Sequence, residues 1–514
     1  MPFLASLPIL IILALMMGFR WGAVRAGAAG YLAAFSIAAL FFGADGTILA
    51  YAHTKALLLS VDVLLIIWAA YLLFRVADEA GAVRVIGVAL PGLTADKGMQ
   101  ALLIGWVFAS FLQGAGGFGV PVAVTAPLLA GLGFNPLAAV LIPSVGHGWA
   151  VTFGSLGSSF NALLSATGLD AATLAPFSAL FLGLAGLLTG PMVAHVADGW
   201  RGVRRLLVPA LVIGAVMGLT QYAVAVGAGL WNLGAFTGGL AGLAASVWIA
   251  RWGQSPIRGQ ASKGGERGGG RRLLVALSAY LVLVALTVVI LLVPPVKAWM
   301  GQVVVQIPFP ETVTRLGYAS PAGMSHPMPV FTHTGAILVY AGVISFFIYE
   351  REGLYRGGAA GRILGGTLRA MLPSSLGIVE MVAMAAIMQQ GGMTEALAQG
   401  LASAAGAFFP LVAPWIGAVG AFMTGSNTNS NVVFAGLQMR TAELLGCNLP
   451  VILAAQTAGA ALASVAAPTK VVVGASTAGM AGKEGEVLRA LSVYTAVLVL
   501  SVSLMAGLGV LLVK

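Results

Sequence analysis

Two stretches of this 514-residue chain carry polar side chains inside otherwise apolar sequence, and their residue types suit holding a small anion better than making bonds. The first, opening at Phe108, reads FASFLQGAGGFGVPVAVTAPLLAGLGFNPLAAVLIPSVGHGWAVTFGSLG. Here Gln113 offers an amide, while Gly114, Gly116, Gly117 and Gly119 let backbone N–H groups come close to a ligand. The second, opening at Gly420, reads GAFMTGSNTNSNVVFAGLQMRTAELLGCNLPVILAAQTAGAALASVAAPTKVVVG. Thr424, Ser426, Asn427, Thr428, Asn429, Ser430 and Asn431 place seven polar side chains in eight positions. Hydroxyls and amides can read a carboxylate and a neighbouring hydroxyl, and the orphan N–H groups of a half-helix hold an anion without formal charge. A small hydroxy acid suits that mixture.

Neither stretch supplies a carboxylate at its break. No Asp, Glu, Lys or Arg stands between Lys97 and Asp170, and none from Gln399 to Met439. A proton-coupled carrier keeps an ionisable group near its site, so the candidates are Glu380, His147 and Asp62, each within an apolar run. Thr469 and Lys470 follow Pro468 at the end of the second stretch, where an ammonium would attract a carboxylate. A structural histidine and a snorkelling lysine remain the plainer readings of His147 and Lys470. Prolines 121, 127, 143 and 468 mark kinks or hinges.

The elements that must position these residues are membrane helices. Hydrophobic residues make up 59% of the chain and charged ones 8%, against roughly 25% charged in a soluble domain. Apolar runs near the ~20 residues needed to span ~30 Å of hydrocarbon recur throughout, as at Leu57 to Phe74, Leu273 to Val293 and Val487 to Val513. Small residues let such helices approach one another, which accounts for most of the 70 glycines. The net charge of +10 reflects basic residues gathered in short connections, a positive-inside pattern rather than a nucleic-acid surface. One cysteine, Cys447, excludes an intramolecular disulfide, and neither metal-ligand spacing nor a cofactor motif is present.

Basic connections fall at Arg20 to Arg25, Arg75 to Lys97, Arg201 to Arg205, Arg251 to Arg272, Arg351 to Arg369 and Lys483 to Arg489. We assign them to the cytoplasm. Segments poor in basic residues, namely Gly43 to Thr54, Ser155 to Thr173, Pro294 to His333 and Gly391 to Gly400, fall on the other side, together with the N-terminus. Pro2 to Met17 lacks a basic n-region and reads as a first helix rather than a cleaved signal. The expected fold is all-α and polytopic, with about 12–14 transmembrane segments. Residues 1–250 form one half with a broken-helix motif at 108–157, and residues 273–514 form another with a second motif at 420–474; 251–272 is a cytoplasmic linker.

Both motifs open with Phe, an apolar residue, a polar residue and Gly (Phe111 to Gly114; Phe422 to Gly425), and both carry a Gly-x-Asn turn (Gly133 to Asn135; Gly446 to Asn448). The charge map has them approached from opposite faces, which predicts an inverted-topology repeat with broken or re-entrant helices at mid-bilayer depth. A membrane-embedded enzyme would need a catalytic constellation that neither break offers. A channel remains as an alternative, since half-helices also line pores.

In these residues the chain resembles the L-lactate permease family. SLPIL near the N-terminus, DGWRG at Asp198 to Gly202, FLQGAGGFGVPVAVT, LLAGLGFNPLAA, TGSNTNSNVVFAGLQ and GKEGEVLR stand in that family's order over nearly the full length. The resemblance implies uptake of lactate, and of related 2-hydroxymonocarboxylates such as glycolate, across the bacterial inner membrane by proton symport. The family pattern has Glu where this chain has Gln113 and Asp where it has Asn427. With these departures, either proton coupling moves to Glu380 or His147, or the chain uses another coupling ion, sodium included, another organic anion, or facilitated diffusion. The expected substrate-binding residues are Gln113, Gly114, Gly116, Gly117, Ser426 to Asn431, Thr469 and Lys470.

Overall fold

The computed structural model describes residues 1–19, 21–117, 119–252 and 269–513. Most of the expected linker from Arg251 to Arg272 therefore lies outside the described residues. The N-terminal part begins with α1 (Pro2–Met17), α2 (Ala23–Phe41), α3 (Gly46–Glu79) and the short α4 (Ala82–Ala89) and α5 (Lys97–Gln100). A π-helical stretch, Ala101–Phe108, leads into α6 (Ala109–Ala115), followed by α7 (Val120–Gly131), α8 (Pro136–His147) and α9 (Ser158–Thr167). Next come α10 (Ala171–Tyr222), α11 (Gly234–Trp252), α12 (Gly269–Leu292) and α13 (Pro294–Met300). The C-terminal part holds α14 (Thr334–Arg351), α15 (Ala359–Gln390), α16 (Met393–Ala405), α17 (Phe409–Thr424), α18 (Asn427–Leu445), α19 (Leu449–Ala463), α20 (Pro468–Thr477) and α21 (Glu484–Leu512).

Twelve helical segments among the described residues are long and apolar enough to cross a membrane, so the protein is an all-α polytopic membrane protein. The longest, 57 residues over Ala171–Gly227, would extend about 85 Å at ~1.5 Å per residue, far beyond one crossing. It is interrupted at Asp198 and Gly199, whose non-helical angles divide it in two. Side-chain caps define several helix starts: Asp45 accepts from Ile48 N at 2.9 Å, and Asp170 accepts from Thr173 N at 2.7 Å.

Burial places the polar motifs at the centre. The spans Lys97–Ala115, Pro136–Thr167 and Leu449–Ala466 are buried over 100%, 89% and 89% of their most apolar windows, against 33–61% for the rest. The outer helices turn large apolar side chains such as Leu40, Leu65, Leu219 and Leu508 outward, as a lipid-facing surface requires.

The connections sort into two groups held together by contacts. In one, Arg205 pairs with Asp96, Arg362 Nε donates to Glu79 Oε1 at 2.8 Å, Tyr355 donates to Val76 O at 2.9 Å, and Lys97 Nζ reaches Gly133 O at 3.4 Å. In the other, Arg315 N donates to Gly43 O at 2.9 Å, Gly392 lies against the Tyr318 ring, Gly400 lies against Pro2, and Arg440 pairs with Glu395. Segments rich in basic residues make up the first group. Segments poor in them make up most of the second.

The second group also contains structure that the apolar pattern hides. Six two-residue strands, β1 (Val304–Val305), β2 (Pro308–Phe309), β3 (Thr312–Val313), β4 (Ala319–Ser320), β5 (Gly323–Met324) and β6 (Met328–Pro329), form one nested antiparallel hairpin. Its registers run from Val304 opposite Pro329 to Thr312 opposite Ser320, and Gly317, with φ +85°, lies in the connection between β3 and β4.

Candidate functional site

The two motifs fold by the same local steps. In the first, α6 ends at Ala115, Gly117 takes φ +61°, α7 follows, Gly133 turns the chain at φ +81°, and Asn135 caps α8. A 3-10 turn at Gly148–Ala150 then ends α8, and α9 starts at Ser158. In the second, α17 ends at Thr424, Gly425 takes φ +74°, Ser426 caps α18, Gly446 turns the chain at φ +64°, and Asn448 caps α19. A 3-10 turn at Ser464–Ala466 ends α19, and α20 starts at Pro468.

The likeness extends to what crowds each left-handed glycine. A Cβ on Gly117 would overlap the Ser155 hydroxyl, and one on Gly425 would overlap the Thr469 hydroxyl. Ser155 and Thr469 each belong to the segment that follows the second interruption of their motif. Packing between the motifs is exchanged in the same sense: α9 lies on α18 and α7 on α20, while α19 touches the turn after α8 and α8 touches the turn after α19. The equivalent Gly-x-Asn turns sit with opposite groups of connections, Gly133 beside Lys97, and Gly446 six residues beyond Arg440, which pairs with Glu395.

Where the motifs meet, uncharged side chains form a buried network. Asn427 Nδ2 donates to Thr152 Oγ1 at 3.0 Å and lies 3.4 Å from Thr457 Oγ1. Asn431 Nδ2 donates to Ser159 O and to Thr457 Oγ1, both at 2.9 Å. Thr152 and Thr457 hydroxyls are 3.2 Å apart, and those of Ser159 and Thr428 are 3.0 Å apart. Ser430 donates to Gly417 O at 2.7 Å, and Gln456 Nε2 reaches Ser430 Oγ at 3.2 Å. Within this network Asn427 Oδ1 and Asn431 Oδ1 accept from no donor among the described residues. Buried acceptors of this kind attract a donor or a cation.

Segment 151–159, rather than the glycine break itself, carries the first motif to the polar run. Gln113 is buried against Gly154 and Gly117. Gly114 allows α6 to approach the backbone of α11 at Phe236, and Gly116 lies on the Phe74 ring. Both are closely covered by protein, so their small size serves packing between helices. Ser155, Leu156 and Gly157 take φ of +47°, +54° and +78°, a left-handed run containing two non-glycine residues. Ser155 Oγ donates to Gly116 O at 3.3 Å and so ties this run to the glycine break.

The remaining candidates fall in three places. Lys470 Nζ donates to Ser464 Oγ at 3.1 Å across the second interruption of its own motif. His147 Nδ1 bonds Pro143 O at 2.6 Å, and its buried Nε2 has no partner among the described residues. Glu380 lies against Gly27 of α2, away from the network and from the walls of the main cavities. Asp62 differs from these. Its Oδ1 accepts from His333 Nε2 at 2.9 Å, and its Oδ2 accepts from Asn161 Nδ2 at 2.8 Å and Ser165 Oγ at 2.7 Å. His333 Nδ1 accepts from Gly335 N at 3.2 Å as the cap of α14, which leaves the proton on Nε2. Asp62 also borders two cavities, of about 270 and about 430 Å³.

Thr152, Ser159, Thr457, Asn161 and His333 were not among the sequence candidates. A polar residue inside an apolar helix is the available signal, and Asn161 and Thr457 show it. His333 lies in a connection, where sequence spacing gives no hint of a partner 271 positions away.

The model of the L-lactate permease family matches residues 2–513. The chain belongs to that family. It is 28% identical over 452 residues to the L-lactate permease of Salmonella typhimurium, covering 82% of this chain and 80% of that one. The glycolate permease GlcA of Escherichia coli is 30% identical over 456 residues, with coverage of 82% and 80%. An L-lactate permease of Halalkalibacterium halodurans is 26% identical over 519 residues, with coverage of 98% and 95%. Among solved structures, the YdaH transporter of Alcanivorax borkumensis, described as having an unusual topology, superposes with a TM-score of 0.50 at 15% identity over 91% of this chain and 90% of that one. That likeness concerns the fold.

Proposed function

We propose that this permease takes up a short 2-hydroxymonocarboxylate, lactate or glycolate, across the bacterial inner membrane by alternating access with a coupling proton. Relatives named for lactate and for glycolate support the substrate class. The observation that carries the mechanism is the meeting of two interrupted motifs in one buried network of amides and hydroxyls. The exchanged packing of α9 on α18 and α7 on α20 supports two inverted halves, 1–250 and 273–514. Grouping of the basic connections supports a cytoplasmic location for them, and hence an external N-terminus.

In this reading Gln113, Gly117, Ser426 to Asn431, Thr469 and Lys470 shape the central site. Asp62 serves as the proton carrier, because it is a buried carboxylate at a cavity wall and its partner His333 donates through one nitrogen. Sodium coupling is a second reading, favoured by the unpaired Asn427 Oδ1 and Asn431 Oδ1. Uptake of labelled lactate, glycolate and keto acids into proteoliposomes, with proton and sodium gradients imposed separately, tests both. Accumulation driven by neither gradient would remove active transport, and accumulation driven by sodium alone would replace the proton.

A further inference from the structure

The cavity of about 270 Å³ at Asp62 is enclosed largely by residues that the central network does not use. Its roof is the nested hairpin, through Phe309, Met324 and His326; its walls are Lys55 and Asp62 of α3, Ser165 of α9 and Gln389 at the end of α15. Val432 and Gly436 of α18 close the inner side, one turn beyond Asn431. A volume of about 270 Å³ holds a three-carbon hydroxy acid with water, since a water takes roughly 30 Å³ in the liquid.

The cavity wall carries one cation, Lys55, and one carboxylate, Asp62, and of the two only the carboxylate is already supplied with partners. Lys55 is half-buried, its Nζ stands 4.9 Å from the Phe309 ring centroid, and among the described residues no carboxylate pairs with it. The one carboxylate on the wall, Asp62, already accepts from His333, Asn161 and Ser165. A free ammonium beside an aromatic face, with His326 and Gln389 as further polar groups, is a site for a carboxylate whose hydroxyl or carbonyl meets an amide.

We propose that the cavity beneath the hairpin is an entry site for the short monocarboxylate, with Lys55 as its anion-binding cation, separate from the central network. This rests on the reading of the protein as an organic-anion carrier. Bound there, the anion touches α9 through Ser165 and α18 through Val432, the two helices joined by the Ser159 to Thr428 and Asn431 to Ser159 contacts. Its arrival is thus placed directly against the seam between the motifs.

The test uses full-length protein in which Cys447→Ser removes the single native thiol and Met324→Cys places a reporter thiol on the cavity wall. In detergent, L-lactate slows modification of that thiol by a charged methanethiosulfonate reagent. Adding Lys55→Gln raises the half-protecting lactate concentration and the uptake KM by about tenfold or more, the scale of one lost charge-assisted hydrogen bond, with Vmax little changed. Lys55→Arg restores both. Modification at an unchanged rate in lactate that saturates uptake, or an unaltered KM in Lys55→Gln, overturns the entry site while the carrier reading stands. Failure of the protein with its native Cys447 to take up or exchange any short hydroxy acid overturns the carrier reading, and the entry site falls with it.

Discussion

Asn427 and Thr152 stand 275 positions apart, and the side-chain amide of the first donates to the hydroxyl of the second at 3.0 Å. Thr152 in turn lies 3.3 Å from the carbonyl of Thr457 and 3.2 Å from its hydroxyl, so its hydrogen can go to Thr457 while its oxygen accepts from the amide. The position therefore calls for a donor. An ionised carboxylate, which only accepts, would keep this contact only by taking the Thr152 hydrogen away from Thr457.

Replacing that amide should separate the two motifs. Asn427→Ala leaves Thr152 without its donor and costs about 1–3 kcal/mol, the range for unpairing a buried polar group. Asn427→Asp should fare no better at neutral pH. Thermal unfolding in detergent and initial uptake rates measure both effects, and wild-type values for Asn427→Asp would show that the hydrogen-bond direction is reversed.

Coupling is expected at Asp62. Asp62→Asn should abolish accumulation driven by a pH gradient while sparing counterflow of labelled lactate, because exchange needs no net proton movement. Undiminished accumulation in this variant would move the coupling group elsewhere.

Glu380 provides the contrast. Its place against Gly27, on the α2 side of α15, predicts that Glu380→Gln keeps gradient-driven accumulation. Loss of accumulation with exchange intact would restore the role its sequence setting suggests.

The two left-handed glycines should each resist a methyl group. Gly117→Ala and Gly425→Ala introduce a Cβ at positive φ and into the hydroxyls of Ser155 and Thr469, at a cost of about 1 kcal/mol or more. Because Ser155 is itself at φ +47°, Ser155→Gly relieves both problems, and the double variant Gly117→Ala with Ser155→Gly should regain much of the lost stability. Unfolding temperatures of the single and double variants decide the matter.

Much of the architecture was legible because the bilayer imposes it. Long apolar runs, basic connections and the two Gly-x-Asn turns each report a constraint that acts on local sequence, and the turns fold as capped helix starts at Asn135 and Asn448. Contacts between distant segments left no such trace. Gln113 and Gly114 carry the sequence signal of a ligand-facing break, yet what faces the polar run is Thr152 and Ser159, which flank a turn whose left-handed course the residues Ser155 and Leu156 do not advertise. The hairpin at Val304–Pro329 was missed because its two-residue strands are too short for alternation to stand out.

The seam between the motifs contains amides and hydroxyls and no formal charge, and charged residues are absent from 98–169 and 399–439. Moving one elementary charge through a membrane potential costs about 2.3 kcal/mol per 100 mV. Helices made of these segments shift through that field at no such cost. The voltage dependence of the transport cycle should then be that of the cargo and its companion ion, and an anion travelling with one proton would cross as an electrically silent pair.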